Sequence, residues 1–247
     1  MSNLNGKTVL VTGANRGIGA AVVRELLKAG VAKVYAAARK PSALPDFGDP
    51  RVHALQLDIT DAASVKAAAA TAGDIDVLVN NAGTATFADL LDGPLDTVNA
   101  DFNTNYFGTL NVVRAFVPVL SRRGSGTIAN VSSVVGLTAA PFLAGYSASK
   151  AALHSLTQSL RATLRDKGIT VLGIYPGPID TDMARGLEFD KTSPEAAAQV
   201  IVAGLAKGET YIFPDPTAQH IGTLWETDGR ALDVALSTPA QEVEPAQ

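Results

Sequence analysis

Residues 7–29 read KTVLVTGANRGIGAAVVRELLKA, and this stretch decides the fold. The β-branched run Lys7–Thr12 predicts a short buried strand, and the segment that ends at Ala29 is helical in pattern. Glycines at positions 13, 17 and 19 lie between them and allow a tight turn with a close approach of the backbone to a ligand. Strand, glycine turn and helix in this order are typical of a loop that binds a dinucleotide pyrophosphate. The spacing G-x-x-x-G-x-G departs from G-x-G-x-x-G, so a glycine turn without a ligand is the alternative.

The composition of the whole chain limits the kinds of protein that it can be. With 247 residues, 47% hydrophobic and 18% charged, the sequence predicts one large globular domain. A net charge of −4 without a basic stripe argues against a nucleic-acid partner. The absence of cysteine excludes disulfides and thiolate metal ligands, and the three histidines have no metal-ligand spacing, so no metal site is expected. Without a signal peptide or an apolar run near the ~20 residues that cross a bilayer, we expect a cytoplasmic protein and no membrane contact.

Strand-like and helix-like segments alternate along the chain. After the first strand, six more are predicted at 33–38, 52–57, 77–79, 127–131, 170–175 and near 211–213. Helices are predicted after Asp61, with Thr60 or Asp61 as the cap, and at about 96–120, 146–167 and 194–207. The alternation indicates a single α/β domain over 1–247, a doubly wound parallel sheet of about seven strands. The apolar loop 179–192 is a candidate lid, and the tail 241–247 is expected to fray.

The residues after the second strand indicate which nucleotide binds. An NAD-binding protein places an acid about twenty residues beyond the glycines, but this chain has Ala38 there, followed by Arg39. Arg16 lies inside the glycine loop. Two guanidinium groups and no carboxylate suit a 2′-phosphate and favour NADP(H) over NAD(H), although each arginine alone is equally explained as a solvated surface charge.

A second functional region lies in residues 133–150, SVVGLTAAPFLAGYSASK. Ser133 follows a buried strand, and Tyr146 and Lys150 are four residues apart, on one face of a predicted helix. A phenol with an ordinary pKa near 10 is a poor proton shuttle at neutral pH, and a nearby ammonium lowers that pKa. The three side chains together can polarise a carbonyl oxygen and protonate it.

Two further sites, Asp58 and the turn Asn80–Gly83, stand near the predicted ends of strands, where the ligands of such sheets gather, and a third candidate, Asn105, lies within a helix. Asp58 ends the third strand and is placed to meet an adenine edge, and Asn80–Gly83 is a turn of small residues after the fourth strand. Asn105 lies inside the long helix, where an exposed position would more readily take a charge. A merely helix-bending polar residue is the alternative for Asn105.

The motifs resemble those of the short-chain dehydrogenases/reductases, in particular their classical group. They occur in family order between Lys7 and Met183: TGANRGIG, LDIT, NNAG, the asparagine of NTNYFG, NVSS, YSASK and YPGPIDTDM. Ser133 precedes Tyr146 by 13 residues, a spacing typical of the family. The resemblance implies a Rossmann-type fold and hydride transfer between a nicotinamide and a carbonyl/alcohol pair.

The resemblance also implies a role for each matching residue. Tyr146 would be the acid/base, Ser133 would bind the substrate oxygen, Lys150 would bind ribose and depress the tyrosine pKa, and Asn105 would hold a relay water. The remaining cofactor contacts would come from the glycine loop, the ends of the strands and the loop after the sixth strand: Gly13, Asn15, Arg16, Gly17, Ile18, Gly19, Arg39, Asp58, Ile59, Asn81, Ala82, Gly83, Pro176, Gly177, Ile179 and Thr181.

Among the functions considered, an NADPH-dependent carbonyl reductase is the leading hypothesis, and an NAD-dependent alcohol dehydrogenase is the nearest rival. A non-catalytic nucleotide sensor is the rival from another class, although such proteins usually lose the tyrosine or the lysine. A serine hydrolase is excluded because Ser133 is not in a G-x-S-x-G turn. His154 is four residues past Lys150, but a packed or surface histidine explains it better than a catalytic one.

Apolar residues near the site indicate a hydrophobic carbonyl or alcohol substrate, a small molecule rather than a sugar. The expected pocket residues are Val134, Val135, Leu137, Thr138, Pro141, Phe142 and Leu143, with Phe87, Met183, Leu187 and Phe189 opposite. Family kinship implies a homo-oligomer formed through the helices of Asn105 and Tyr146. A dimer is expected and a tetramer is the alternative, because the family's usual Asp-Gly-Gly ending is missing from the C-terminal segment 208–247.

Overall fold

The protein is described by a computed structural model that covers residues 4–87, 89, 91–188 and 190–237. Its centre is a seven-stranded parallel sheet in the order β3-β2-β1-β4-β5-β6-β7. The strands are β1 Thr8–Thr12, β2 Lys33–Ala38, β3 Val52–Gln56, β4 Val77–Asn80, β5 Gly126–Val131, β6 Ile169–Ile174 and β7 Tyr211–Ile212. The predicted doubly wound parallel sheet is confirmed, with strand bounds within two residues of those expected.

Seven α-helices accompany the sheet in the described residues. They are α1 Gly17–Lys28, α2 Ala62–Thr71, α3 Leu95–Asp101, α4 Thr109–Arg122, α5 Ala144–Leu164, α6 Pro194–Lys207 and α7 Pro216–Ser237. Of the two cap candidates for α2, the structure selects Asp61, whose carboxylate accepts the Ala63 N–H at 2.9 Å. No helix of the described residues is long and apolar enough to cross a membrane.

The strand residues alternate between two apolar cores, as a sheet covered on both faces requires. In β1, Val9 and Val11 face a core completed by α1 and α6. Leu10 points the opposite way, into a core completed by α2, α4 and the end of α5. The same alternation recurs in β4, where Val77 and Val79 join the first core and Leu78 joins the second. The sheet is therefore a rigid platform whose strand ends hold the site.

The strand order reverses between β1 and β4, which are hydrogen-bonded neighbours in the middle of the sheet. Helices that follow β1 and β4 leave on opposite faces, so a crevice forms beyond the carboxyl ends of these two strands. Ligands of open α/β sheets bind at such a switch point. The segments after Thr12, Asn80, Val131 and Ile174 all emerge at this edge.

Two elements differ from the sequence-based prediction. The helix expected at 96–120 is divided, because a π-helical turn, Phe102–Gly108, separates α3 from α4. The C-terminal segment forms a long helix, α7, that was not predicted, with a kink at Asp228 where the Asp228 carboxylate accepts the Ala231 N–H at 3.0 Å. The tail 241–247, predicted to fray, lies outside the described residues.

Candidate active site

The glycine loop lies against the turn that follows β4. Gly13 has φ +66°, and a Cβ atom there would come within 2.8 Å of the Ala82 Cα atom. A Cβ atom on Gly19 would lie 2.3 Å from the Gly13 carbonyl oxygen and 2.5 Å from Asn81 Nδ2. Asn81 Nδ2 donates to the carbonyl oxygens of Thr12 and Gly13 at 2.9 and 3.1 Å. Two of the predicted cofactor segments are thus joined, and only glycine fits where they meet.

The N-terminus of α1 is suited to an anion. Its cap residue, Arg16, makes no side-chain hydrogen bond to the first turn, and no acidic side chain lies in that turn. In contrast, α2 and α6 are capped by the side chains of Asp61 and Ser193. Uncapped N–H groups and the positive end of a helix dipole attract phosphate. The glycine cradle and this helix end therefore fit the pyrophosphate of a dinucleotide.

The two arginines expected at a 2′-phosphate are both exposed. Arg16 Nη1 donates to Asp182 Oδ2 at 3.0 Å, across the mouth of the crevice, and Arg185 also pairs with Asp182. Arg39 follows β2 and acts on Asp58: hydrogen bonds from Thr60, helped by the positive charge of Arg39, lower the pKa of the Asp58 carboxyl. Arg16 is therefore paired with Asp182, whereas Arg39 forms no salt bridge with Asp182.

Asp58 and Ile59 lie beyond β3, at the expected adenine position. Asp58 Oδ1 accepts hydrogen bonds from the N–H and the hydroxyl of Thr60 at 2.9 and 2.7 Å. Ile59 is buried, and a Cβ atom on Gly108 of the π-helical turn would lie 2.8 Å from its Cδ1 atom. Both residues are thus held in place by their neighbours, and their contact with adenine stays a prediction.

Ser133, Tyr146 and Lys150 converge at the ends of β5 and α5. Ser133 is buried and its Oγ donates to the Pro176 carbonyl oxygen at 3.2 Å. Its side chain also hydrogen-bonds Tyr146. Lys150 Nζ donates to the Val131 carbonyl oxygen at 2.8 Å and lies 5.6 Å from the centroid of the Tyr146 ring. A hydroxyl, a phenol and an ammonium are thus held within one small region.

The electrostatics of this trio differ from the expected ones. Burial raises the pKa of Tyr146, and the hydrogen bond with Ser133 offsets only part of that rise. Burial also lowers the pKa of Lys150 to about 8. In this geometry burial sets the direction of the Tyr146 shift, and the depression of the Tyr146 pKa by Lys150 stays a prediction. At neutral pH Tyr146 keeps its proton.

Asn105 lies in the π-helical turn and is completely buried. Its Nδ2 donates to the Thr84 carbonyl oxygen and to Ser149 Oγ, both at 2.9 Å, and its Oδ1 accepts the Thr84 N–H at 3.0 Å. A Cβ atom on Gly83 would lie 3.0 Å from Asn105 Oδ1 and 3.5 Å from Lys150 Nζ. Asn105 therefore links the turn after β4 to the helix of Tyr146 and Lys150, which a merely helix-bending residue would not do.

The loop after β6 covers the opposite side of the crevice. Thr181 lies over the glycine loop, since a Cβ atom on Gly17 would be 3.0 Å from Thr181 Cγ2. The base of the following loop is tied, because Asp180 N donates to the Thr192 carbonyl oxygen at 2.9 Å and Thr192 N donates to that of Pro178 at 3.0 Å. Gly177 N donates to Asp215 Oδ2 at 2.8 Å, which fixes the start of the loop to the N-terminus of α7.

Six of the expected pocket residues fall into two groups. Val134, Val135 and Leu137 pack into an apolar cluster formed with Tyr175 and α7, so they support the site from behind. Phe87, Phe142 and Met183 are 52%, 51% and 40% exposed, on segments that emerge at the same edge of the sheet. These three are exposed apolar side chains at this edge of the sheet, and Phe189 lies outside the described residues.

His154 is part of an aromatic cluster behind the site. Its Nδ1 lies 2.7 Å from Tyr175 Oη, and its ring meets the Trp225 ring edge-on at 5.7 Å between centroids. Burial lowers the pKa of His154, so the ring is neutral near pH 7. This packing agrees with the interpretation of His154 as a structural histidine.

Three acidic residues near the site were not identified from the sequence. Asp215 carried a signal, because Asp followed by Pro216 is typical of an N-cap and first residue of a helix. Asp101 is buried one turn before Asn105, a spacing that only the structure makes meaningful. No pattern in the sequence points to Asp182, because its partner Arg16 is 166 residues away along the chain.

Comparison with known proteins gives close matches to this fold. A crystal structure of a short chain dehydrogenase from Burkholderia cenocepacia in complex with NADP has a TM-score of 0.90 and 39% identity, covering 96% of this chain and 100% of that one. The NADP-dependent 3-hydroxy acid dehydrogenase of Schizosaccharomyces pombe is 31% identical over 240 residues, 87% of this chain and 93% of that protein. A Burkholderia phymatum short chain dehydrogenase/reductase, in complex with NAD, shares the fold with a TM-score of 0.83 at 24% identity and full coverage of both chains.

The sequence profile of the short chain dehydrogenases matches residues 7–192, which include the glycine loop, Asn105, Ser133, Tyr146 and Lys150. The matched range covers six of the seven strands and the crevice at their carboxyl ends. On this evidence the chain belongs to the short-chain dehydrogenase family and is a nucleotide-dependent oxidoreductase.

Proposed function

We propose that the protein is an NADP(H)-dependent carbonyl reductase, which interconverts a hydrophobic ketone or aldehyde and its alcohol. The observation that carries the proposal is the convergence of Ser133, Tyr146 and Lys150 beside the glycine loop, with Asn105 behind them. Each of these side chains is held by hydrogen bonds to backbone or to a neighbouring side chain, which is the preorganisation that proton transfer requires.

In the reductive direction, Ser133 and Tyr146 would hydrogen-bond the carbonyl oxygen of the substrate. A bound nicotinamide would supply the hydride to the carbonyl carbon. The Tyr146 hydroxyl would give its proton to the oxygen as negative charge develops there, so the product is an alcohol. The raised pKa of Tyr146 means that the phenol carries its proton, as a general acid must, before the reaction begins. Lys150, a cation beside the resulting phenolate, would stabilise it.

Cofactor preference is the second part of the proposal. The uncapped α1 terminus and the glycine cradle fit a pyrophosphate, and the exposed Arg39 that follows β2, where an acid would serve NAD(H), supports the proposal of a 2′-phosphate contact. The similar Burkholderia cenocepacia protein was crystallised with NADP. The loop 179–192, tied at its base by Thr192, is proposed as the lid over the bound cofactor.

A homo-oligomer is also proposed, formed through the π-helical turn and α5. A groove of about 420 Å³ runs between them and is lined by Tyr106, Phe107, Ala152, Ser155 and Leu156. Phe107 is 51% exposed there, and small residues on α5 let a second backbone approach closely. Light scattering after gel filtration should give the mass of a dimer, with a tetramer as the alternative, and Ala152→Arg should give monomer.

The test of the proposed function is NADPH oxidation with a panel of alkyl and aryl ketones, aldehydes and diketones, repeated with NADH. Tyr146→Phe should lower kcat by about 100- to 10,000-fold, the usual contribution of a general acid. The control is Tyr106→Phe, which removes a phenolic hydroxyl from the groove next to α5 and should leave kcat unchanged. Equal turnover by wild type and Tyr146→Phe would refute the assignment, and NADPH binding without turnover of any carbonyl would favour a nucleotide sensor.

A further inference from the structure

Asp101 is a fully buried acid that the proposed mechanism does not use. It is the last residue of α3 and has no exposed surface. Its Oδ2 accepts the Thr86 hydroxyl at 2.7 Å and the Thr86 N–H at 3.2 Å. Its Oδ1 is buried and, among the described residues, has no hydrogen-bond partner. Carboxylates are rarely buried without a compensating charge, so this position needs an explanation.

Asp101 and Asn105 hold the same segment of chain. They lie one helical turn apart, and they bind Thr86 and Thr84, which are two residues apart in the turn after β4. Asn105 also reaches Ser149 on α5, one residue before Lys150. The carboxylate of Asp101 is therefore built into the wall of the region that contains Lys150.

Lys150 is a buried cation, as Asp101 is a buried acid. Its ammonium is almost completely buried, with its hydrogen bond directed to the neutral carbonyl oxygen of Val131. Burial lowers the pKa of Lys150, and the negative charge of Asp101 opposes that change. The same charge raises the pKa of Tyr146, and the charge of Lys150 in turn opposes the rise that burial causes in the pKa of Asp101. Asp101 on α3 and Lys150 with Tyr146 on α5 are the titratable groups that act on one another here.

We propose that Asp101 is the internal counter-charge of Lys150, a positioning residue that keeps the lysine protonated in the buried site. Its Oδ1 has no hydrogen-bond partner among the described residues, so its own contacts do not satisfy the carboxylate. For catalysis this rests on the proposed function, since a charged Lys150 is what would stabilise the Tyr146 phenolate. The charge coupling itself exists whether or not the protein turns over a carbonyl.

The first test measures the coupling without any substrate. The ¹³Cε resonance of Lys150, assigned with Lys150→Arg, is titrated in wild type, Asp101→Asn and Thr86→Val. The midpoint, near 8 in wild type, should move to lower pH in Asp101→Asn. Thr86→Val removes a hydrogen bond to Asp101 but keeps the carboxylate, so its midpoint should stay close to that of wild type. An unchanged midpoint in Asp101→Asn would overturn the proposal.

A reciprocal measurement covers the case in which Asp101→Asn fails to fold. Coupling free energies are symmetric, so removal of the lysine charge must act on Asp101 as strongly as Asp101 acts on Lys150. The ¹³Cγ resonance of Asp101 should therefore titrate at higher pH in Lys150→Met than in wild type. The same Asp101 midpoint in both proteins would show that the two charges do not interact.

The second test uses turnover. For ketone reduction, the rate should fall on the alkaline side as the tyrosine–lysine pair loses protons, and in Asp101→Asn this fall should occur at lower pH. A purely structural role for Asp101 would lower kcat at every pH without moving the midpoint. If wild type reduces no carbonyl, the proposed function fails while the titration of Lys150 still decides the role of Asp101.

Discussion

The backbone N–H of Gly177 donates to the Asp215 carboxylate at 2.8 Å, and the same carboxylate accepts the Ala218 N–H at 2.9 Å. Asp215 thus caps α7 and holds the loop after β6 with one side chain. A Cβ atom on Gly177 would lie 2.6 Å from Asp215 Oδ1, so the contact depends on glycine. The C-terminal helix is in this way connected to the loop expected to surround the nicotinamide.

Asp215→Asn should therefore affect both stability and cofactor binding. An amide keeps one acceptor oxygen and replaces the other with a donor, which leaves a buried N–H unsatisfied at a cost of about 1–3 kcal/mol. Urea denaturation should show this loss, and NADPH should bind more weakly because the loop is released. Asp233→Asn, an exposed change on α7, is the control and should alter neither quantity. If Asp215→Asn destabilised the protein but bound NADPH with full affinity, the cap of α7 would have no influence on the cofactor-binding loop.

Arg39→Ala should weaken NADPH binding and spare NADH binding. A guanidinium contact to a phosphate is worth about 1.5–3 kcal/mol, so the Kd for NADPH should rise by roughly 10- to 150-fold. Fluorescence titration with both cofactors measures the ratio. Arg165→Ala removes an exposed arginine at the far end of α5 and controls for the loss of positive charge. A parallel loss of affinity for both cofactors would contradict a role for Arg39 at the 2′-phosphate.

Asp182→Asn should tighten NADPH binding, because Asp182 holds Arg16 in an ion pair that the proposed contact of Arg16 with the 2′-phosphate would have to replace. Exposed pairs of this kind are worth at most about 1 kcal/mol, so the gain in affinity should not exceed about 5-fold. Asp180→Asn, on the same loop, tests whether loss of any nearby negative charge is sufficient. Equal gains in both variants would show that the ion pair itself does not compete with the cofactor.

Lys150 should make the stability of the ligand-free protein depend on pH. Its pKa in the folded state is about 8, below the ordinary value of 10.5 that applies to the unfolded chain. Between these values the unfolded chain binds more protons, so the free energy of unfolding should increase as pH rises from about 8 to 10.5. The increase should be on the order of 3 kcal/mol.

Chemical denaturation of wild type and Lys150→Met across this range isolates the contribution of Lys150. The free energy of unfolding of wild type, measured relative to that of Lys150→Met, should increase as pH rises. The increase should be lost again as pH falls through 8. Lys167→Met, which removes an exposed lysine, should follow the pH dependence of wild type. A constant difference between wild type and Lys150→Met would mean that the lysine titrates normally in the folded protein.

The parts of the fold that sequence predicts well are those fixed by local chemistry. The strand before Gly13 and the glycine turn follow from periodicity and backbone freedom, and Tyr146 and Lys150 share a helix face by spacing alone. The start of α7 also has a local signal, because Asp215 followed by Pro216 is typical of a helix N-cap and first residue.

The remaining features depend on tertiary structure. Burial decides the pKa of Tyr146, and no spacing between Tyr146 and Lys150 reveals how much water each loses. Asp101 looks like an ordinary helical acid until its side chain is found enclosed. The π-helical turn around Asn105, which contacts Ile59 and Thr84, has no pattern in the sequence.

The π-helical turn has one more consequence. Its i→i+5 hydrogen bonds accommodate a residue that an α-helix of the same length would exclude, so the segment 102–108 behaves as an α-helix with an insertion. Deleting one residue there would leave a continuous helix from α3 to α4 and would rotate one end of it relative to the other. Asp101 and Asn105 would then no longer face Thr86 and Thr84 together. In this protein the register of the site is encoded by chain length as well as by residue identity, and a single-codon deletion could remove the site while preserving the helix.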